Sequence, residues 1–399
     1  MKTTFTLLFV IVFCIQVFSQ TATSVANGNW LMPTTWDCAC IPTATYNVNI
    51  NHTVTMTSNW MQTGGTVTIN IGGTLKQDAT NRIIAFNGGN LANHGTFTFS
   101  KVAFLSGTFS NTGTLNGTDS LYMGVDMTNA GYVTSNNLYN AAVLNNNYSV
   151  VVTNFFNNGT FDNVMPAGWL NALNFYNNLT AINSGYIAFG NCTNAGVLTN
   201  NGGIGGDNDF TNAGILYNNL GSTINITNDC TNGDTLNNDA HWYNNGITNI
   251  SNDFTNVDSL HGTAPGSFCV YNNSVNLGAV LGDFDFCDHL TTGFGINSGT
   301  ISNGITYCSG LCYSKVIENN ISDFEVFPNP VKESLTIQFN GDIINNYLQI
   351  VNSCGQVVFE QAINEVKEIT VSRNSLPAGL YLLKVSNDNS SITKKLIFE

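Results

Sequence analysis

Two short acidic segments hold the residue types best suited to chemistry. Gly205-Gly206-Asp207-Asn208-Asp209 and Asp283-Phe284-Asp285-Phe286-Cys287-Asp288 each place hard oxygen ligands close together. Asp207 and Asp209, or Asp283 and Asp285, are two residues apart and would share one face of a strand. Such a pair could serve glycoside hydrolysis, which uses two carboxylates at a set separation. With Asp288 it could instead hold calcium. Neither segment follows the EF-hand spacing or the glycine-rich nonapeptide repeat, so solvated polar turns are the plainer expectation. Calcium is the single metal candidate, and no other cofactor is indicated. His52, His94, His241, His261 and His289 show no metal-ligand spacing and read as lone surface or turn residues.

The cysteines suggest cross-links rather than catalysis. Cys38 and Cys40 form one close pair, and Cys269, Cys287, Cys308 and Cys312 crowd a short stretch. Four cysteines allow three pairings, which spacing alone does not resolve. No Cys-x-x-Cys lies in a thioredoxin-like setting.

Charge narrows the function classes. Only 9% of residues are charged, the net charge is −14, and residues 102–314 contain neither Lys nor Arg. A nucleic-acid partner is excluded because phosphate contacts need basic clusters. A lyase acting on acidic polysaccharide is disfavoured, because nothing in that stretch would neutralise a uronate carboxylate. The place of charged residues is taken largely by asparagine, 63 in all.

These residues must be positioned by a repeat. Asn191-Cys192-Thr193-Asn194-Ala195-Gly196-Val197-Leu198, Asp209-Phe210-Thr211-Asn212-Ala213-Gly214-Ile215-Leu216, the stretch from Asp229 to Leu236, and Asp253-Phe254-Thr255-Asn256-Val257-Asp258-Ser259-Leu260 align with one another. The Phe/Cys positions are 18, 20 and 24 residues apart. A period near 20 with short alternating strands fits the rungs of a parallel β-helix. Asn-x-Gly is expected at the corners, where both residues tolerate left-handed backbone. Stacked rungs would let equivalent asparagines bond as amide ladders. Phe and Cys share one repeat position, so Cys192 and Cys230 are expected inside as small hydrophobes.

The rest of the chain divides by composition. Residues 1–19 read as a secretory signal: Lys2, an apolar run Leu7–Phe13, and Ser19. No later run is long and apolar enough to span a membrane. Residues 20–75 read as N-terminal cap and first rungs, 76–286 as the solenoid, 287–316 as a Cys-containing C-terminal cap, and 317–324 as a linker. All seven Glu lie from Glu318 onward, which supports that boundary. Residues 325–399 show short alternating strands, such as Leu335-Thr336-Ile337-Gln338-Phe339, expected of a small immunoglobulin-like β-sandwich. The fold class is therefore all-β.

Two resemblances follow. The opening Asn29-Trp30 through Thr35-Trp36 is similar to the start of many β-helical surface proteins of the Bacteroidota. The C-terminal set Phe327-Pro328-Asn329-Pro330, then Gly355, then Leu376-Pro377-Ala378-Gly379-Leu380-Tyr381, then Lys394-Lys395, resembles the type A sorting domain of type IX secretion substrates. That resemblance implies passage through the periplasm and across the outer membrane. Its partners would be the type IX machinery and its sortase, and its end point the cell surface or the medium. Asp119-Ser120-Leu121, Asp234-Thr235-Leu236 and Asp258-Ser259-Leu260 resemble Bacteroidota O-glycosylation sites. The expected cargo is an adhesin-like or coat-forming rod with a glycan or extracellular-matrix ligand. Trp169, Tyr186 and Trp242 are its candidate exposed aromatics, with packing in the core the equal alternative for each. A polysaccharide-degrading β-helix enzyme is the alternative.

Overall fold

The computed structural model describes residues 20–78, 81–233, 239–291, 293–308, 324–339, 346–352, 356–363, 366–373, 376–386 and 391–399. The expected signal segment, Cys312, Gly355, the Asp234-Thr235-Leu236 corner and residues 317–323 of the expected linker lie outside them. Two compact units are present, Met1–Cys312 and Tyr313–Glu399.

The first unit is a parallel β-solenoid. One face is a fifteen-stranded sheet that follows the chain rung by rung, from Thr21–Thr23 to Thr300–Ile301. Over the middle rungs the other two faces are the arms of single bent strands: Tyr132–Asn140, Ser149–Asn157, Trp169–Asn177 and Tyr186–Asn194. Each pairs in parallel with its equivalent one rung on. In Tyr132–Asn140, Val133 and Ser135 point inward, Asn136 and Asn137 both point outward, and Leu138 points inward again. Two outward residues in a row shift the alternation, and that shift is the bend. Beyond it, Phe189 pairs with Gly206 and Cys192 with Phe210. Two residues span the first gap and three span the second, so the arms separate into Gly203–Gly206 and Phe210–Asn212.

The interior is built from columns. Phe155, Phe175, Cys192, Phe210, Cys230 and Phe254 occupy one register position on successive rungs, all buried. Cys192 and Cys230 are free thiols there, and burial pushes both well above the usual thiol range. A thiol kept protonated is a packing group, not a nucleophile.

Two further columns are asparagine, interior up to Asn244 in one and up to Asn276 in the other. One runs Asn93, Asn111, Asn129, Asn146, Asn163, Asn183, Asn200, Asn218, Asn244. In it each Nδ2 donates to the Oδ1 of the next, at 2.7–3.0 Å. The other runs Asn140, Asn157, Asn177, Asn194, Asn212, Asn232, Asn256, Asn276, Asn297, at 2.7–2.8 Å. The expected amide ladders are present, but the expected reason for the Asn-x-Gly corner needs correction. Among the described residues only Ala39, Asn81 and Cys308 combine a side chain with positive φ. The repeat asparagines therefore use ordinary backbone, and their amides turn inward to bond across rungs. The glycine answers to close approach: a Cβ on Gly131 would lie 2.1 Å from the Gly113 carbonyl oxygen one rung back.

Both ends of the solenoid carry closing features. Near the start, Trp36 packs edge-on against Trp30 at 5.2 Å and donates its Nε1–H to the Trp30 carbonyl at 2.9 Å. Cys38 and Cys40 are disulfide-bonded. At the far end Cys287 and Cys308 are bonded across 21 residues, and Cys269 is also in a disulfide. A loop of that size contributes about 3 kcal/mol by restricting the unfolded chain.

The second unit holds two antiparallel sheets. One joins Phe324–Phe327, Ser334–Phe339 and Glu368–Ser372; the other joins Val357–Ile363, Asn346–Asn352, Gly379–Ser386 and Ser391–Phe398. Leu335 and Ile337 from the first share one core with Leu348, Ile350, Leu383, Val385 and Leu396 from the second.

Candidate binding face

The bent strands create a site that no linear motif announces. Outward positions on the arm before the bend align as Asn116, Thr134, Val151, Asn171 and Ala188. A groove of about 640 Å³ runs along this column, with Asn136, Thr153 and Leu173 from the bend beside it. Asp207 and Asn208 line its far end, where the bend gains a residue. Leu173 is exposed, and its Cδ1 lies where a Cβ on Gly190 would sit, at 2.9 Å.

Aromatic rings flank the column. Trp169 and Tyr186 stand two residues before Asn171 and Ala188, on the same outward face. Their rings stack at 4.8 Å with 21° between planes, yet they remain 44% and 37% exposed. Tyr186 can lie flat because Gly203 follows it in register and Gly205 follows Ala188; a Cβ on Gly205 would fall 2.3 Å from its hydroxyl. On the other side Trp169 is in register with Ser149, too small to cover an indole. Tyr132 and Tyr148 meet edge-on nearby, their hydroxyls 3.1 Å apart, and this contact pushes the Tyr132 phenol upward. Trp242 does not belong to the face. It is fully buried, packed edge-on between Phe210 and Phe268, because it occupies the inward position in register with Leu216 and Leu260.

The carboxylates are distributed rather than gathered. Among the described residues lining the groove, Asp207 is the one carboxylate. Asp209 begins an outer column with Asp229 and Asp253; each accepts from the asparagine before the next, Asn228, Asn252 and Asn272, at 2.6–2.7 Å. Asp283 accepts the Ala264 N–H. Asp285 is buried and accepts from Thr306 Oγ1 at 2.8 Å. Asp288 is buried and accepts from Ser274 Oγ at 2.6 Å and from the Leu290 N–H at 2.8 Å. Asp119 is held below the usual carboxylate range by the Ser120 hydroxyl and by Lys101 at 3.4 Å. Among the described residues no three His, Cys, Asp or Glu side chains converge as a metal site. The histidines include one pairing the sequence reading missed. His241 and His261 lie one rung apart with ring centroids at 5.6 Å, and His261 stacks on Tyr243 at 4.7 Å.

In the second unit the motif residues tie the first turn to the last strand. Asn329 donates its Nδ2–H to the Lys395 carbonyl at 2.9 Å and accepts the Ile397 N–H at 3.0 Å, between Pro328 and Pro330. The Tyr381 hydroxyl donates to the Pro377 carbonyl at 3.1 Å, just before the turn at Gly379. The Lys394 ammonium lies 5.1 Å from the centre of the Phe324 ring.

Residues 325–399 match the family described as the secretion system C-terminal sorting domain. The chain is thus a β-solenoid carrying a type IX sorting tail, which marks it for export out of the cell, to the outer surface or the medium. No curated protein matches the chain. Among solved structures, an immunoglobulin-like β-sandwich protein of the DUF3244 family from Bacteroides vulgatus is 23% identical, covers 20% of this chain and 88% of its own, and superposes with a TM-score of 0.18. A cell-surface-expressed, multi-modular chitinase from Paenibacillus is 11% identical with a TM-score of 0.15; the match covers 86% of this chain and 24% of the chitinase. Neither superposition is close enough to carry an argument.

Proposed function

We propose that this exported solenoid is an adhesin-like surface protein that binds a glycan along the groove beside Trp169 and Tyr186. The observation that carries the reading is the stacked, exposed Trp169–Tyr186 pair at the edge of a groove lined by neutral Asn and Thr side chains. Indole and phenol rings supply broad apolar area with little side-chain entropy to lose. Amides and hydroxyls both donate and accept, as sugar hydroxyls require. The route runs through the periplasm, with the sorting tail delivering the solenoid to the outer surface. Binding is favoured over hydrolysis because glycosidases use two carboxylates and the described lining residues offer Asp207 alone.

The test is affinity electrophoresis of the full chain in gels containing soluble polysaccharides, comparing wild type with a Trp169→Ala/Tyr186→Ala double variant. The expected result is retardation by at least one polysaccharide and at least tenfold weaker binding by the variant, about 1.4 kcal/mol. Both residues are exposed, so the variant should stay folded, losing no more than about 1.5 kcal/mol with the stacked contact. Retardation that the double substitution leaves unchanged would place the ligand elsewhere.

A further inference from the structure

We infer that the groove is built for an unbranched, uncharged polysaccharide with extended β-1,4 linkages, laid parallel to the solenoid axis. This rests on the glycan reading above and names the class of glycan. The first argument is direction. Lining residues recur at one register position on successive rungs, from Asn116 on the strand Thr114–Met123 to Ala188 on the strand Tyr186–Asn194, and the next rung adds Asp207 and Asn208 from the bend after Gly203–Gly206. The groove therefore runs across the strands, along the axis, for about 25 Å.

The second argument is repeat. Rungs are about 4.8 Å apart, close to the advance of one pyranose in an extended β-1,4 chain. In such a ribbon alternate sugars are flipped, so the chemical repeat is two sugars. Four of the five positions on the groove floor alternate in the same way, Thr134 polar, Val151 apolar, Asn171 polar, Ala188 apolar, with a second polar residue, Asn116, before Thr134. A two-rung period of polar and apolar positions suits a ribbon that presents hydroxyl edges and C–H faces in turn. A helical α-linked glucan would leave a straight column after a few residues.

The third argument is charge. Among the described lining residues none is basic, and the far end carries Asp207. Residues 102–314 contain no Lys or Arg, so an anionic chain along the axis would find no counter-charge from those residues. Neutral polymer is the class that meets no penalty.

The experiment uses the full chain in affinity gels with three kinds of polymer: hydroxyethyl cellulose and glucomannan, then alginate and polygalacturonate, then amylose. A second arm measures binding of β-1,4 oligosaccharides of increasing length by calorimetry. The expected result is retention by the neutral β-1,4 polymers at least tenfold above the others, with affinity rising through about five sugars, the number that about 25 Å accommodates. Stronger retention on acidic or α-linked polymer would overturn this class while leaving the glycan reading in place. An affinity plateau at two sugars would overturn the lengthwise pose. Retention by none of them, from protein shown to be folded, would remove both readings.

Discussion

Asparagine stacks occur on both sides of the same solenoid wall, and they behave differently. Inside, Asn157, Asn177 and Asn194 are fully buried, and each Nδ2 donates forward to the next rung. Outside, Asn137, Asn154, Asn174 and Asn191 sit three positions earlier along the same strands, and the last three each donate backward to the one before, at 2.8–3.1 Å. The residue type and rung spacing are shared, so the difference lies in solvent. A buried amide without a partner pays its full desolvation penalty, whereas an exposed one turns to water. The inner stacks are therefore structural necessities, while the outer stack is a hydrogen-bonding surface. The inner stacks also bond to backbone: Asn177 Nδ2 reaches the Val197 carbonyl at 3.1 Å. One end of a stack is left open, since Asn93 Oδ1 is buried without a partner where Ile69 precedes it in register.

The tryptophans give the largest expected contrast. Trp242→Ala should destabilise the solenoid by about 3–5 kcal/mol, the range for removing a large buried ring. Trp169→Ala, which loses one stacked contact on the outer face, should cost no more than about 1.5 kcal/mol. Denaturant melts of the two variants decide this, and equal losses would mean that the exposed ring is structural. The amides come next. Asn177→Ala removes three bonds and leaves one Asn157 N–H and the Asn194 Oδ1 without that partner, for about 2–4 kcal/mol. Asn174→Ala removes two bonds of the outer face, one half-buried and one exposed, and should cost no more than about 1 kcal/mol. If the two amide variants melt alike, burial is not what separates the stacks.

Much of this division was legible in the sequence. The period near 20, the Phe/Cys column and the amide ladders follow from the aligned segments alone. Trp242 was named among the candidate exposed aromatics, although His241-Trp242-Tyr243-Asn244 aligns with Ile215-Leu216-Tyr217-Asn218, which places the indole with an inward leucine. The Asn-x-Gly corner was attributed to left-handed backbone because that is the commoner reason for those residues. Contact between rungs, invisible within a single corner, is what selects them here. The groove was not legible. It arises where two outward residues shift the strand alternation, and a paired Asn136-Asn137 looks no different from any other polar doublet in so asparagine-rich a chain. His241 and His261 are 20 residues apart, one period, and only the stacking of rungs makes them neighbours.

That histidine pair lies between the two regimes and gives the smallest effect. The His261 ring is half-buried against Tyr243, and its Nε2 has no partner. Burial, and secondarily the neighbouring His241, hold its pKa below the ordinary imidazole value. A base whose folded pKa is depressed binds fewer protons folded than unfolded between the two values, so stability rises with pH through that window. The stabilised state is the neutral ring. Its contribution is present above the unfolded value, near 6.5, and is lost as pH falls from there toward the lower folded value. Melting temperature should therefore drop modestly between pH 7.5 and pH 5.5 in wild type. His261→Asn should flatten part of that drop while leaving the contribution of other groups intact. The difference between the two profiles isolates the pair. Parallel profiles would mean that the ring titrates as freely as one in water, and that the outer wall at this rung is solvated like the exposed amide stack rather than closed like the inner ones.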